Sequence, residues 1–260
     1  MPSKFFEGKH VNLSGKVAFI TGGAIGFGYA FAETLGREGA SVVIAEINIE
    51  SANAAVVKLQ AQGISAIALH CDVSDEDAVD VAVAKTIAEY GGIDILINNA
   101  GLHLTKYNLP FTTLTRADVR ALFDVNVIGV VNCSVAAFES MKSRGGGNVI
   151  NISSMAGNMA SSPYGVSKMA VRGLTIAFAK EFADAGIRVN AISPGLMATD
   201  SAMADLPPAM VTSIINDMQF IHRQGEVADI VNMMMFLISD KASFITGETF
   251  KVSGGAALSS

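Results

Sequence analysis

Short apolar runs, rich in β-branched residues, alternate with longer amphipathic stretches along almost the whole chain. The runs predict strands at residues 17–21, 41–46, 65–70, 93–98, 149–153, 188–193 and 249–252. Strands that alternate with helices in this way form a parallel sheet with helices on both faces. The sequence therefore predicts an α/β fold, a single doubly wound Rossmann-type domain with a sheet of about seven strands.

The alternation also predicts how the chain is organised. It begins after residue 13 and contains no Pro/Ser-rich linker, so we expect an N-terminal arm at residues 1–13 and the Rossmann-type domain at residues 14–260. The segment after Met197 breaks the pattern, because it is rich in methionine and contains Pro207 and Pro208. Long irregular insertions are often functional. We expect this one to be a substrate lid at about residues 197–225.

Charge, hydropathy and cysteine content exclude several classes of function. The formal net charge is −6 and no basic run is long enough to follow a phosphate backbone, so we expect no nucleic acid partner. No apolar run reaches the ~20 residues that span a bilayer, and the first residues lack the apolar core of a signal peptide. We therefore expect a cytoplasmic protein with no membrane partner. Cys71, Cys133 and the scattered histidines show no metal-ligand spacing, which predicts buried thiols and no metal.

A glycine-rich turn follows the first predicted strand and precedes a predicted helix. Gly22, Gly26 and Gly28 would let the backbone approach a pyrophosphate at the helix N-terminus. The second strand ends at Glu46, about 20 residues further on, where an acid can accept hydrogen bonds from a ribose 2′-hydroxyl. Neither Ile25 nor Ile47 supplies the cation that a 2′-phosphate needs. These features favour NAD over NADP.

Further motifs follow in order along nearly the whole chain. They are TGxxxGxG at residues 21–28, Asp72 in CDV, NNAG at residues 98–101, Asn126 in DVNV, Ser154 after a strand, YxxSK at residues 164–168, and Pro194-Gly195 with Thr199 downstream. Together they resemble the short-chain dehydrogenase/reductase family, in its compact branch of about 250 residues. Only ten positions separate Ser154 from Tyr164, a shorter gap than this family usually shows.

The resemblance implies two sets of site residues. The implied catalytic residues are Asn126, Ser154, Tyr164 and Lys168. The implied cofactor-binding residues are Gly22, Ile25, Gly26, Phe27, Gly28, Glu46, Asp72, Val73, Asn99, Ala100, Gly101, Tyr164, Lys168, Pro194, Gly195, Met197 and Thr199. The resemblance also implies a homotetramer, and a homodimer is the alternative.

The spacing of Tyr164 and Lys168 adds a chemical argument. Residues at i and i+4 lie on one face of a helix. A free tyrosine titrates near ~10, and a nearby ammonium favours its phenolate form. We expect Lys168 and the nicotinamide charge to lower the pKa of Tyr164, which then serves as general acid/base. By resemblance, Ser154 hydrogen-bonds the substrate oxygen, Lys168 binds the nicotinamide ribose, and Asn126 holds a water that links Lys168 to solvent.

The sequence thus predicts an NAD-dependent oxidoreductase that interconverts a secondary alcohol and a ketone. One alternative is an NADP-dependent carbonyl or 3-oxoacyl reductase, and another is a non-catalytic dinucleotide-binding sensor. The small-molecule substrate is expected to be apolar, since methionines suit an apolar pocket. Candidates for the substrate wall are His103, Tyr107, Met197, Met203 and Met210.

Overall fold

The chain folds around one parallel sheet at its centre. The computed structural model describes residues 11–102, 104–198 and 207–256. Within these ranges seven strands pair in the order β3-β2-β1-β4-β5-β6-β7, and every pair is parallel. The strands are β1 (Val17–Thr21), β2 (Ser41–Glu46), β3 (Ala66–His70), β4 (Ile95–Asn98), β5 (Gly147–Ile152), β6 (Ile187–Pro194) and β7 (Thr249–Val252).

Helices connect the strands and cover both faces of the sheet. They are α1 (Gly26–Arg37), α2 (Ile49–Gln60), α3 (Glu76–Tyr90), α4 (Leu104–Tyr107), α5 (Arg116–Phe123), α6 (Gly129–Ser143), α7 (Ala156–Met159), α8 (Pro163–Glu181), α9 (Pro208–Ser213) and α10 (Val227–Ile238). Two π-helical turns, Asp124–Ile128 and Ile214–Met218, extend α5 into α6 and prolong α9. The predicted fold class, a doubly wound Rossmann-type sheet, is confirmed.

The two faces of the sheet carry separate apolar cores, because successive side chains of a strand point to opposite faces. Ile20 of β1 packs with side chains of α1, α2 and α10, including Phe31 and Leu237. Phe19, its neighbour, packs with α3, α6 and α8, including Met141 and Phe178. Chain order reverses between β1 and β4, and doubly wound sheets bind ligands at such a point, at the carboxyl ends of their strands.

One helix combines great length with an apolar composition. Among the described residues, Arg116–Ser143 is long and apolar enough to cross a membrane by length and composition alone. This length arises because α5, the π-helical turn and α6 are continuous. Cys133, Ala137 and Met141 are buried along α6 and pack against the sheet, as in the core helix of a globular domain.

Four strands have other bounds than predicted, since β3 and β4 begin later, β5 is Gly147–Ile152 and β6 is Ile187–Pro194. The predicted strand at residues 93–98 begins only at Ile95, because the Asp94 carboxylate accepts the Val17 N–H at 2.9 Å, while its backbone N–H donates to the Val17 carbonyl. The segment around Pro207 and Pro208 is not irregular in its described part. Proline is tolerated in the first turn of a helix, where its missing N–H costs nothing, and Pro208 begins α9.

Candidate active site

A cleft of about 500 Å³ opens at the carboxyl edge of the sheet, at the reversal between β1 and β4. The residues that follow β1, β2, β3, β4, β5 and β6 line it. Side chains far apart in the sequence therefore meet there. Most of the predicted site residues lie in this one cleft.

The glycine-rich turn forms one wall of the cleft. Gly22 and Gly26 have φ values of +60° and +56°, a backbone conformation that strongly favours glycine. A Cβ on Gly28 would collide with the carbonyl oxygen of Gly22. The turn thus needs glycine for its conformation and for the close approach of its own backbone, and it brings the N-terminus of α1 to the cleft.

Asn99, which follows the neighbouring strand β4, hydrogen-bonds this turn. Its side-chain amide donates to the carbonyls of Thr21 at 3.0 Å and Gly22 at 2.8 Å. In return the Thr21 hydroxyl accepts the backbone N–H groups of Asn99 and Ala100, both at 3.0 Å. The first and fourth strands therefore hold each other at the point where the cleft opens.

The end of the cleft next to β2 and β3 is lined by both acidic and apolar side chains. Glu46 ends β2 and lines the cleft together with Ile47 and Asp72. The Asp72 carboxylate accepts the backbone N–H and the hydroxyl of Ser74, at 2.9 and 2.7 Å. By its position before three acidic residues Ser74 could cap α3, but it pairs with Asp72. Asp75 caps α3, because its side chain accepts the N–H groups of Asp77 and Ala78.

Tyr164, Lys168 and Ser154 meet at the centre of the cleft. Tyr164 and Lys168 are one turn apart on α8, with the Lys168 Nζ 5.9 Å from the centre of the tyrosine ring. The Lys168 ammonium is buried and donates to the Ile152 carbonyl at 2.9 Å. The hydroxyl of Ser154 hydrogen-bonds the Tyr164 phenol. The short gap between Ser154 and Tyr164 still brings them together, with α7 filling the loop.

The two serines at the end of β5 have different partners. Ser153 is buried and its hydroxyl donates to the Lys168 carbonyl at 2.8 Å. Ser154 accepts the Ala156 N–H at 3.2 Å, so its own proton can be donated within the cleft, in this structure to the Tyr164 phenol. This geometry favours Ser154 as the hydroxyl donor of the site.

Burial shifts the pKa values of both titratable groups on α8. It lowers the pKa of Lys168 to about 8. It raises the pKa of Tyr164, and the hydrogen bond with Ser154 opposes that rise. The expected lowering of the Tyr164 pKa is therefore not found for the protein alone, in which burial is the largest influence and raises the pKa.

Asn126 lies behind the cleft and not on its wall. It is buried in the first π-helical turn, where its Oδ1 accepts the Leu102 N–H at 2.7 Å and its Nδ2 donates to the Ser167 hydroxyl at 3.2 Å. A Cβ on Gly101 would lie 3.2 Å from Asn126 Oδ1 and 3.5 Å from Lys168 Nζ. Asn126 thus packs beside the lysine, separated from the cleft by a glycine that leaves room for both.

The structure brings most of the other predicted residues to the cleft. Gly28 supports the turn from behind and Thr199 lies outside the described residues. The predicted residues on the cleft wall are Gly22, Ile25, Gly26, Phe27, Glu46, Asp72, Val73, Asn99, Ala100, Gly101, Ser154, Tyr164, Lys168, Pro194, Gly195 and Met197.

The substrate side of the cleft was predicted less well. Met197 and Met210 do line it, whereas Tyr107 is buried away from it, and His103 and Met203 lie outside the described residues. The wall residues that sequence reasoning missed are Leu102, Asn108, Met155, Met159, Leu196 and Ile214. Met155, Met159, Leu102 and Leu196 lie close enough to predicted residues to have been found, but nothing in the sequence marks Asn108 or Ile214.

The fold and the site together define a class, a Rossmann-type dinucleotide-binding oxidoreductase. Residues 22–257 match the family model described as enoyl-(acyl carrier protein) reductase. The chain belongs to the short-chain dehydrogenase/reductase family.

Three similar proteins align with this chain along nearly their whole length. The chain is 40% identical to an uncharacterized oxidoreductase of Mycobacterium tuberculosis, over 94% of this chain and 98% of that protein. It is 35% identical to the 3-oxoacyl-[acyl-carrier-protein] reductase of Staphylococcus aureus, over 92% and 97%. A solved structure of 7α-hydroxysteroid dehydrogenase with NADH and 7-oxo glycochenodeoxycholic acid is similar, with a TM-score of 0.87, 35% identity, and coverage of 95% of this chain and 96% of that one.

Proposed function

We propose that this protein is an NAD-dependent oxidoreductase that interconverts a secondary alcohol and a ketone, with Tyr164 as general acid/base. One observation carries the proposal. The Tyr164 phenol, the Ser154 hydroxyl and the buried Lys168 ammonium converge in the cleft whose other wall is the glycine-rich turn.

The residues of the cleft fit a nicotinamide dinucleotide. The turn at Gly22 and Gly26 offers close backbone approach and a helix N-terminus for a pyrophosphate, and Glu46 can accept hydrogen bonds from a ribose. Among the described residues that line the cleft, Lys168 is the only cation, and it lies beside Tyr164 and not beside Glu46. A 2′-phosphate would therefore meet the Glu46 carboxylate without a positive partner, which supports NAD over NADP.

When bound, the coenzyme accepts the hydride in alcohol oxidation and supplies it in ketone reduction. In oxidation, the Tyr164 oxygen takes the hydroxyl proton of the substrate while the hydride leaves the carbinol carbon. Ser154 donates a hydrogen bond to the same substrate oxygen. In reduction, Tyr164 returns the proton and Ser154 polarises the carbonyl. The Lys168 charge favours the phenolate that oxidation requires, against the effect of burial.

The wall around Tyr164 supports an apolar substrate. Met155, Met159, Met210 and Ile214 present thioether and aliphatic groups to the cleft, and methionine adapts to irregular apolar shapes. A 7α-hydroxysteroid dehydrogenase is the related enzyme whose structure was solved with an oxidised bile acid derivative. We propose a bulky apolar secondary alcohol or ketone as substrate.

Replacement of Tyr164 by Phe tests the proposal. General acid–base catalysis contributes roughly 10²–10⁴-fold in rate, so Tyr164→Phe should lower kcat for NADH-dependent ketone reduction by at least about 100-fold. Its NADH dissociation constant, from nicotinamide fluorescence, should stay unchanged. Tyr90→Phe is the matched control, since Tyr90 contacts Ser65 and does not line the cleft. Full turnover by Tyr164→Phe with normal NADH binding would contradict the assignment.

A second candidate is an NADP-dependent 3-oxoacyl reductase. It is favoured by the 35% identity to the Staphylococcus aureus 3-oxoacyl reductase. The two candidates differ in coenzyme and in substrate, so kcat/KM for NADH and NADPH with an apolar ketone and with a 3-oxoacyl thioester would separate them. A preference for NADPH and the thioester would favour the second candidate.

A further inference from the structure

Asn108 is a polar exception on an apolar wall. It follows α4 and reaches the cleft that Met155, Met159 and Ile214 also line. It is exposed, so it lies at the mouth of the cleft and not in its floor. A polar group placed among apolar side chains in a pocket fixes the orientation of a ligand.

The segment that carries Asn108 is held in place on both sides. The side chain of Tyr107, the preceding residue, is buried. Lys106 forms an ion pair with Asp118 of α5, with the Nζ 2.6 Å from the carboxylate oxygen. Asn108 therefore extends from an anchored position.

Ser162 determines which end of the Asn108 amide is available. The Ser162 hydroxyl oxygen accepts the Gly165 N–H at 3.2 Å as the N-cap of α8, and lies 2.9 Å from Asn108 Oδ1. Its one proton therefore goes to Asn108 Oδ1, which leaves the Asn108 Nδ2 as the free end. No partner of that Nδ2 occurs among the described residues, so the amide offers N–H donors at the cleft.

Asn108 and Tyr164 line the same cleft. One bound molecule can therefore contact the Asn108 Nδ2 and the Tyr164 phenol together.

We propose that Asn108 is a specificity-determining residue that donates a hydrogen bond to a second oxygen of the substrate, apart from the oxygen that reacts at Tyr164. The substrate class is then an apolar ketone or alcohol that carries one further oxygen. This inference rests on the proposed function, because the reacting atom is placed at Tyr164.

Binding of three matched bicyclic ketones tests the inference. The probes are decalone and its derivatives with a tertiary hydroxyl or a methoxy group on the second ring, titrated calorimetrically into the protein with NAD⁺, which can oxidise none of the three. A neutral hydrogen bond corresponds to about fivefold in affinity. The protein should bind both oxygenated ketones about fivefold more tightly than decalone, and Asn108→Leu should bind all three equally.

Asn108→Asp separates a hydrogen bond from a general effect of polarity. Aspartate can still accept the Ser162 hydroxyl proton, but it has no N–H to donate. It should keep the preference for the hydroxyl compound, which can donate, and lose the preference for the methoxy compound, which only accepts. Met159→Leu, on the apolar wall, should change all three affinities by one common factor.

The inference is overturned if the unaltered protein binds the three ketones equally or not at all, or if Asn108→Leu keeps the preference. Turnover is measured separately, as NADH-dependent reduction of decalone by the protein and by Tyr164→Phe. Absent turnover with an intact binding preference would reject the proposed function and leave the role of Asn108 in place. Normal turnover without the preference would do the reverse.

Discussion

Two buried charges show how differently this fold treats ionised side chains. Asp94 is buried, but Lys16, Arg144 and the Val17 N–H all donate to it at 2.8–3.1 Å. Burial raises the pKa of Asp94, and these hydrogen bonds outweigh that effect and hold it below its usual value. Lys168 is also buried, and its ammonium donates a hydrogen bond to the neutral carbonyl of Ile152. The buried charge that donates to a neutral group thus lies at the candidate active site. Strongly shifted pKa values are typical of functional sites.

Lys168 should make the stability of the protein pH-dependent. Its pKa is about 8 in the folded chain against 10.5 for a free lysine, so between these values the unfolded chain binds more protons. The free energy of unfolding should then rise with pH across this window, by about 3 kcal/mol in all, and the gain should be absent below pH 8. Urea unfolding of the protein and of Lys168→Met measures the difference at each pH. Parallel curves from pH 7 to 10.5 would contradict the burial cost.

Glu46 should determine the choice of coenzyme. A hydrogen bond to a charged acceptor contributes roughly 1.5–3 kcal/mol, so Glu46→Gln should weaken NADH binding by about tenfold. The same change should strengthen NADPH binding, because the carboxylate no longer repels the 2′-phosphate. Fluorescence titration of both coenzymes measures the ratio. Glu50→Gln, a loss of the same charge from α2 outside the cleft, should leave it unchanged; an equal shift in both variants would point to a long-range charge effect only.

At the scale of elements, the bounds of several strands follow directly from the sequence, whereas the start of α3 does not. The runs at residues 17–21, 41–46 and 249–252 are strands with these same bounds, and the first of them is buried from end to end, as in a covered parallel sheet. Helix starts depend on which of several polar residues accepts the first N–H groups. Ser74 and Asp75 are both good caps by type, and the pairing of Ser74 with Asp72 decides between them.

The cap of α8 links an element to the chemistry that it carries. Ser162 accepts the Gly165 N–H, and Ser162→Ala should therefore lower the free energy of unfolding by about 1 kcal/mol. Ser162→Thr should keep most of the stability, since its hydroxyl can take the same place. The neighbouring Ser161→Ala, at an exposed position outside the helix, is the control. Urea midpoints of the three variants test this, and equal losses for Ser161→Ala and Ser162→Ala would show that no cap is involved.

At the scale of the whole molecule, the two sides of the cleft differ in how far the sequence reveals them. The coenzyme side comes mainly from motifs that follow successive strands, and the rule for parallel sheets places them together. The substrate side joins Asn108, Met159 and Ile214, which are far apart in the chain and belong to no motif. Their meeting depends on how loops pack across the finished sheet, which local patterns do not encode.

A cytoplasmic location stays a prediction.

We also propose that the protein is a homo-oligomer. Ile128 and Val135 on the long helix, with Met169 and Ile176 on α8, are 45–62% exposed although large and apolar. Burying such side chains against a second copy would contribute roughly 1.5–3 kcal/mol each if fully covered. Light scattering should give the mass of a tetramer or a dimer, and Val135→Asp combined with Ile176→Asp should reduce it. Val57→Asp, equally exposed on α2, should not. A monomer mass for the unaltered protein would reject the proposal.

Residues 220 and 221, in the segment expected to form the lid, are attached next to the outermost strand. The N–H groups of Phe220 and Ile221 both donate to the Gly254 carbonyl, at 2.8 and 2.9 Å, just beyond β7. The glycine-rich turn, in contrast, is held at the centre of the sheet by Asn99. Substitutions near Gly254 should therefore displace the segment at Phe220 and Ile221 while the glycine-rich turn stays in place, so the two regions can change independently of each other.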